Sequence, residues 1–195
     1  MIGIKLPASE QDIRRLKIGD EVAITGVMIT ARDAAHKYLI ETEGVEVRDI
    51  LREGMVYHCG PVVKKDASGK YSFVAAGPTT SVRTEPFEPP VIEKYHLRGV
   101  IGKGGMGAGT LAACQKFGCV YLSAVGGLAT TLARSVIEVP TVYKLAEFGV
   151  PEAMWVIKVQ DFPAVVTMDS HGKSIHDDIA ELSKKTYERL LGKGK

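Results

Sequence analysis

The chain has 195 residues, with 25 Lys and Arg against 23 Asp and Glu and a formal charge of +2, a balance that supplies no electrostatic attraction for nucleic acid or a membrane surface. With 45% apolar and 25% charged residues, 21 Gly and 9 Pro, its composition is that of a compact protein and excludes disordered, collagen-like and disulfide-dense classes. The length suits a single large domain over 1–195, and 5 Phe, 7 Tyr and 1 Trp leave packing mainly to aliphatic side chains.

The opening MIGIKLPASEQ has no apolar stretch behind a basic end and no small-residue cleavage site, so the expectation is a cytoplasmic protein without a secretory signal. A strand is expected over Asp20–Thr30, where DEVAITGVMIT is rich in β-branched residues, then a helix over Ala31–Thr42, where Ala34, Ala35, Tyr38 and Leu39 recur at helical spacing. Between Met55 and Ala76, MVYHCG and YSFVAA read as two strands of a hairpin turned by KKDASGK, with Asp66, Ser68 and Gly69 as turn formers. The three prolines of PFEPP forbid ladders and helix interiors, so 86–90 reads as a rigid connection and a candidate subdomain seam.

Beyond it, a helical stretch near Val91–His96 leads to a strand at Arg98–Ile101, a glycine-rich loop at Gly102–Gly109 and a helix over Thr110–Phe117. A second strand-turn-helix pass follows, with Cys119–Ala124, Gly126-Gly127 and Leu128–Ser135, and two such units favour a parallel α/β sheet. The uncharged run Phe117–Ala133 is broken by glycines and hydroxyls and falls short of the roughly 18 apolar residues of a membrane span, so it reads as core. Met154–Gln160 and Ala164–Asp169 read as two strands separated by Asp161-Phe162-Pro163, and Ser174–Leu191 as an amphipathic closing helix with a solvated Lys-rich end.

Gly102-Lys103-Gly104-Gly105-Met106-Gly107 matches Gly-x-Gly-x-x-Gly after a strand and before a helix, yet the acidic residue of a dinucleotide site is missing, since Leu122–Gly127 reads LSAVGG. Gly102-Lys103 is not followed by Ser or Thr, so a Walker loop is excluded. What remains is an anion site in which loop amides, a helix start and Lys103 suit a carboxylate or phosphate; the alternative is a tight turn with a solvated lysine. In AGPTTSVR, a helix starting after Gly77-Pro78 would take Thr79 or Thr80 as its N-cap and place Thr79 and Arg83 on one face. Arg32 lies where a strand gives way to a helix, the usual place for ligand groups in parallel sheets.

His58 and His171 stand at strand ends without a paired His or Cys at metal spacing. The three cysteines, Cys59, Cys114 and Cys119, form no Cys-x-x-Cys pair and read as core, so no metal site is assigned to this chain.

TARDAAH around Arg32, YHCGP, AGPTTSVR and GKGGMG, in that order, with the DFP turn at Asp161–Pro163 and DSHG at Asp169–Gly172, resemble the β subunit of class I fumarate hydratase and the related L(+)-tartrate dehydratase. The resemblance spans most of the chain and implies a swivelling β/β/α domain. It implies a lyase of the tricarboxylic acid cycle that adds water reversibly to fumarate to give L-malate, working as a hetero-oligomer with an iron-sulfur α subunit. That subunit would hold a four-iron, four-sulfur cluster whose open iron acts as Lewis acid, and would also supply the general acid.

Carried over residue by residue, the resemblance implies Thr79 as base and Arg32, Arg83, Lys103 and Gly104 as substrate-binding positions. Two anion clamps suit the two carboxylates of a small dicarboxylate, and cationic neighbours would have to assist an aliphatic hydroxyl acting as a base. Thr84 stands where family members often carry Met, and Cys59 occupies a variable place in the His-x-Gly-Pro run. The alternatives are a tartrate dehydratase β subunit, whose substrate's extra hydroxyl needs its own polar partner, and a free-standing anion- or nucleotide-binding module built on the Gly102–Gly109 loop.

Overall fold

The computed structural model describes residues 1–192; the tip of the Lys-rich end, at 193–195, lies outside the described residues. β1 (Ile2–Lys5) and α1 (Glu10–Arg14), whose N-cap Ser9 hydroxyl accepts from the Asp12 amide, lead into β2 (Glu21–Thr30) and α2 (Asp33–Glu41). A single turn α3 (Arg48–Leu51) precedes β3 (Met55–Tyr57), and β4 (Val62–Lys65) with β5 (Tyr71–Ala75) forms a hairpin. A 3-10 turn at Ser81–Thr84 and α4 (Glu88–Tyr95) lead to β6 (Gly99–Gly102), α5 (Ala108–Phe117) and β7 (Val120–Ser123). The chain closes with α6 (Ala129–Arg134), β8 (Val136–Tyr143), α7 (Leu145–Phe148), the long β9 (Met154–Met168) and α8 (Ile175–Leu190).

The result is a mixed α/β fold. Strands run in the order β1-β2-β3-β6-β7-β9-β8, and β9 also pairs with β2, so β2, β3, β6, β7 and β9 close a ring. The expected parallel sheet is present from β1 through β7, while β9 runs antiparallel to β2, β7 and β8. Alternation along each strand divides the buried residues into two clusters. Met55 and Tyr57 of β3, Ile101 of β6, and Val120 and Leu122 of β7 join Trp155 and Ile157 in one. Their neighbours Val56, Val100 and Tyr121 turn the other way, against Ala35 and Leu39 of α2, Val91 and Ile92 of α4 and Cys114 of α5. Both clusters are mostly aliphatic, as the composition predicts.

Three expectations are corrected. The hairpin lies one segment later: MVYHCG supplies the central parallel strand β3, and the partner of YSFVA across the Asp66-Ser68-Gly69 turn is Val62–Lys65. The residues before and after Asp161-Phe162-Pro163 belong to one strand, because Asp161, at a positive φ of 50°, donates its amide to the Thr25 hydroxyl at 3.0 Å and Gly26, at a φ of 140°, resumes the ladder opposite Val159, so the chain passes the irregularity without leaving the sheet. The expected rigid connection over 86–90 is in part helix, since the prolines at 89 and 90 enter α4, whose first turn needs no amide donor there. No helix among the described residues is long and apolar enough to cross a membrane.

Candidate functional site

The parallel strands β2, β3 and β6 lie side by side and end at Thr30, Tyr57 and Gly102. The segments that leave these carboxyl ends carry every residue singled out for binding or catalysis. Arg32 stands just before α2 with its Nε 3.3 Å from Glu152 Oε1. A Cβ at Gly60 would fall 2.7 Å from Arg32 Nη1, so the glycine of YHCGP is what lets the guanidinium lie against that loop. Asp33, the next residue, pairs with Arg83. Thr79 donates its amide to the His58 carbonyl at 2.6 Å, and its own carbonyl accepts from the Lys103 amide at 3.2 Å. The Lys103 carbonyl in turn accepts from Ser81 at 2.9 Å. Gly104 is exposed at a φ of 82°, and a Cβ on it would touch Thr80 Cγ2 at 3.8 Å. The fold therefore links Thr79 to Lys103 through the backbone and Arg83 to the start of α2 through Asp33.

Two readings of this region change. Thr80, one of the two expected residues, is the N-cap of the short turn that carries Arg83, but its hydroxyl makes no capping bond and Thr79 stands outside the turn instead of sharing a helix face with Arg83. The start of α5 is not an open anion site. Glu85 already fills it, accepting from the Gly107 amide at 2.7 Å and from the Thr110 amide and hydroxyl at 3.0 and 2.7 Å. The helix dipole that a phosphate or carboxylate ligand would use is met by the protein's own carboxylate.

His58 has companions after all. Its Nε2 lies 3.0 Å from Glu88 Oε2, and His36 Nε2 lies 3.0 Å from the same oxygen. His58 Nδ1 is 2.9 Å from the Ser81 hydroxyl, which accepts from Tyr121 Oη at 2.9 Å, and His36 Nδ1 is 2.8 Å from the Arg32 carbonyl. His36, His58 and Glu88 are buried, and their nearest donor atoms lie within 4.8 Å of one another, a spacing that a metal ion also accepts. Sequence reading missed this cluster because its members come from α2, the loop after β3 and the first turn of α4. The one available signal was a Glu inside a proline run.

Burial opposes charge on all three groups, and the partners decide the outcome. For Glu88, burial pushes the carboxyl up, but the electrostatic pull of His36 and His58 overcomes it and holds the group well below its ordinary range. For His36, burial pulls the imidazole down, and Glu88 reverses the shift to leave it raised. His58 stays lowered, with burial prevailing over the same carboxylate. Burial pushes the Tyr121 phenol up to about 12, so it remains a donor to Ser81.

The other candidates are structural. Asp169 accepts amides from His171 and Lys173 at 2.9 and 3.0 Å, and His171 Nε2 lies 2.9 Å from the Arg14 carbonyl, so DSHG forms a closed turn. Cys59 belongs to one core cluster and Cys114 and Cys119 to the other, all three buried, so these thiols cannot share an iron-sulfur cluster. Burial pushes the Cys59 thiol up to about 12 against the pull of Arg32, leaving it protonated.

Gly102 is fixed by the same network. A Cβ there would overlap the Ser81 hydroxyl and lie 3.2 Å from both His58 Nδ1 and Tyr121 Oη. Gly102→Ala is expected to destabilise the chain by about 1–3 kcal/mol through overpacking, read as a lower midpoint in urea unfolding.

The family model described as Fumarase C-terminus matches residues 1–179. The chain belongs to this family. It is 49% identical over 190 residues to a putative fumarate hydratase class I of Geobacillus stearothermophilus, covering 97% of this chain and 36% of the relative. It is 42% identical over 185 residues to a putative L(+)-tartrate dehydratase subunit beta of Methanocaldococcus jannaschii, covering 93% of each chain. The L(+)-tartrate dehydratase subunit beta of Escherichia coli K12 is 38% identical over 184 residues, covering 94% of this chain and 89% of that one. This Fumarase C-terminus chain thus spans about a third of the fumarate hydratase relative and nearly all of the two subunits.

Proposed function

We propose that the chain is the β subunit of a two-subunit iron-sulfur hydro-lyase that hydrates fumarate reversibly to L-malate, and that it forms a single domain of the swivelling β/β/α kind. The observation that carries this reading is the gathering of Arg32, Thr79, Arg83 and Lys103 at the carboxyl ends of three adjacent parallel strands, in a chain 49% identical to a relative named fumarate hydratase class I. Such strand ends are where α/β sheets bind ligands.

Each arginine already holds a carboxylate of its own, Glu152 for Arg32 and Asp33 for Arg83, which fixes the side chain while leaving other guanidinium N–H groups to grip a substrate carboxylate. Two such forks clamp a dicarboxylate at both ends. Lys103 and the Gly104 backbone lie beside Thr79, where positive charge stabilises the carboxylate-conjugated negative charge that develops as a proton leaves the neighbouring carbon. In the malate-to-fumarate direction Thr79 Oγ1 takes that proton as an alkoxide, the form that the cations around it stabilise, and it returns the proton to carbon when water is added.

The thiols of this chain do not fit a four-iron, four-sulfur cluster, so we assign the cluster and the general acid to the α subunit. This chain supplies binding, orientation and proton removal. The specific support for tartrate as substrate is the near full-length likeness to two chains named L(+)-tartrate dehydratase subunit beta. The free-standing nucleotide-binding reading loses its main support because Glu85 occupies the start of α5.

The test is anaerobic co-production with an iron-sulfur α subunit, followed by turnover assays with fumarate, L-malate and L(+)-tartrate. Fumarate hydration by the complex and not by either chain alone is the expected result. Preferential loss of tartrate would transfer the assignment to tartrate dehydration. Ligand binding by this chain alone, with no turnover in the complex, would sink the lyase reading.

A further inference from the structure

Glu88 contacts no solvent, yet it is connected to the backbone of Arg32 and Thr79 and to the side chain that follows Arg83. One arm runs through His36, whose Nδ1 meets the Arg32 carbonyl at 2.8 Å. A second runs through His58, whose carbonyl receives the Thr79 amide at 2.6 Å. The third runs through Thr84, the neighbour of Arg83, whose hydroxyl lies 3.3 Å from Glu88 Oε2 and donates to the Ser81 carbonyl at 2.9 Å.

The protons in this hub follow from which atoms accept. A carbonyl only accepts, so His36 Nδ1 carries a proton. His36 Nε2 lies 3.0 Å from a carboxylate oxygen in a bent contact, an ion pair short of a hydrogen bond. A bare lone pair there would oppose those of the oxygen in a dry site, so Nε2 is protonated too and the ring is an imidazolium. His58 donates from Nε2 to the same oxygen, and its Nδ1 accepts from Ser81, which accepts from Tyr121. One carboxylate thus faces one imidazolium and one neutral imidazole. A buried pair of this kind is a poor device for stability alone, since well-packed apolar residues do as well or better.

We propose that Glu88 is a positioning residue for the dicarboxylate site, setting through His36, His58 and Thr84 the spacing between Arg32, Thr79 and Arg83. This rests on the hydro-lyase reading above. Because it acts on the distance between two anion clamps, its loss strikes a ligand with two carboxylates and spares a ligand with one.

The experiment uses the assembled two-subunit enzyme, wild type and Glu88→Gln, with succinate and propionate as competitive inhibitors of fumarate hydration and as ligands in calorimetry. The carboxamide keeps the shape of Glu88, and its oxygen in the place of Oε2 still accepts from His58 while the negative charge that holds His36 protonated is gone. The expected result is a succinate inhibition constant raised at least tenfold while that of propionate changes less than threefold. His36→Gln, which weakens the Arg32 arm alone, is expected to shift selectivity the same way and serves if Glu88→Gln does not fold. An active wild type whose selectivity for succinate survives in both variants would overturn the proposal by itself. A wild-type complex that neither hydrates fumarate nor binds succinate would overturn the hydro-lyase reading and this proposal with it. One equivalent of zinc in the purified wild type, absent from Glu88→Gln, would replace the protonated hub by a metal site.

Discussion

Thr79→Ala in the assembled enzyme is expected to lower kcat at least about 10²-fold, the usual scale for removing a general base, with KM for fumarate little changed. The main chain at Thr79 is fixed on both sides without help from its side chain, by the His58 carbonyl and the Lys103 amide. Alanine therefore removes the hydroxyl and leaves the strand-end geometry in place. The cationic groups stay where they are, so substrate still binds and only proton removal suffers. Steady-state kinetics on the purified complex, with a matched unfolding curve, separates the two effects. A fall smaller than about tenfold would remove Thr79 from the role of base.

His36→Ala is expected to cost about 3–5 kcal/mol of stability, the scale for breaking a buried ion pair from one side. The loss follows from Glu88, which would stay buried with only the neutral His58 and the Thr84 hydroxyl against it. Urea unfolding at neutral pH checks the magnitude. Acid attacks the same pair from the other side. The Glu88 carboxyl is held below its ordinary value of 4.5 because the two histidines outweigh burial. Its contribution is thus complete above that value and is lost as the pH falls toward the depressed one. Wild type should accordingly lose stability relative to Glu88→Gln as the pH drops below 4.5. An unchanged difference across that range would mean that Glu88 is not charged in the folded chain.

Much of the scaffold was legible in the sequence. The β-branched run before Thr30, the glycines after Ile101 and the helix-spaced alanines of 31–42 are local signals, and the fold uses them locally. The hairpin cannot be placed from sequence because MVYHCG and VVKK both have strand character, and only the ring decides that the first is central and the second lies in the separate hairpin. The continuity of β9 is hidden because an Asp-Phe-Pro run reads as a break unless Ile24 and Ala23 are known to pair with its Phe162 and Pro163. At the site, arginines and a threonine next to glycine turns could be picked out one by one. Glu85 and Glu88 could not, since each acts on a segment distant in sequence, and nothing local separates a carboxylate that caps a helix from one buried between two histidines.

The pairing of β2 with β9 also has a consequence for synthesis of the chain. Thr30 and Ala153, which are hydrogen-bonded across that seam, stand 123 positions apart, so the nascent polypeptide carries an unsatisfied edge of β2 until most of its length has left the ribosome. Contacts of such long range are slow to form, and an exposed strand edge is a template for wrong pairing in the meantime. Premature termination anywhere before Met154 would leave an open sheet, and the expected fate of such a fragment is aggregation or proteolysis rather than a smaller working domain.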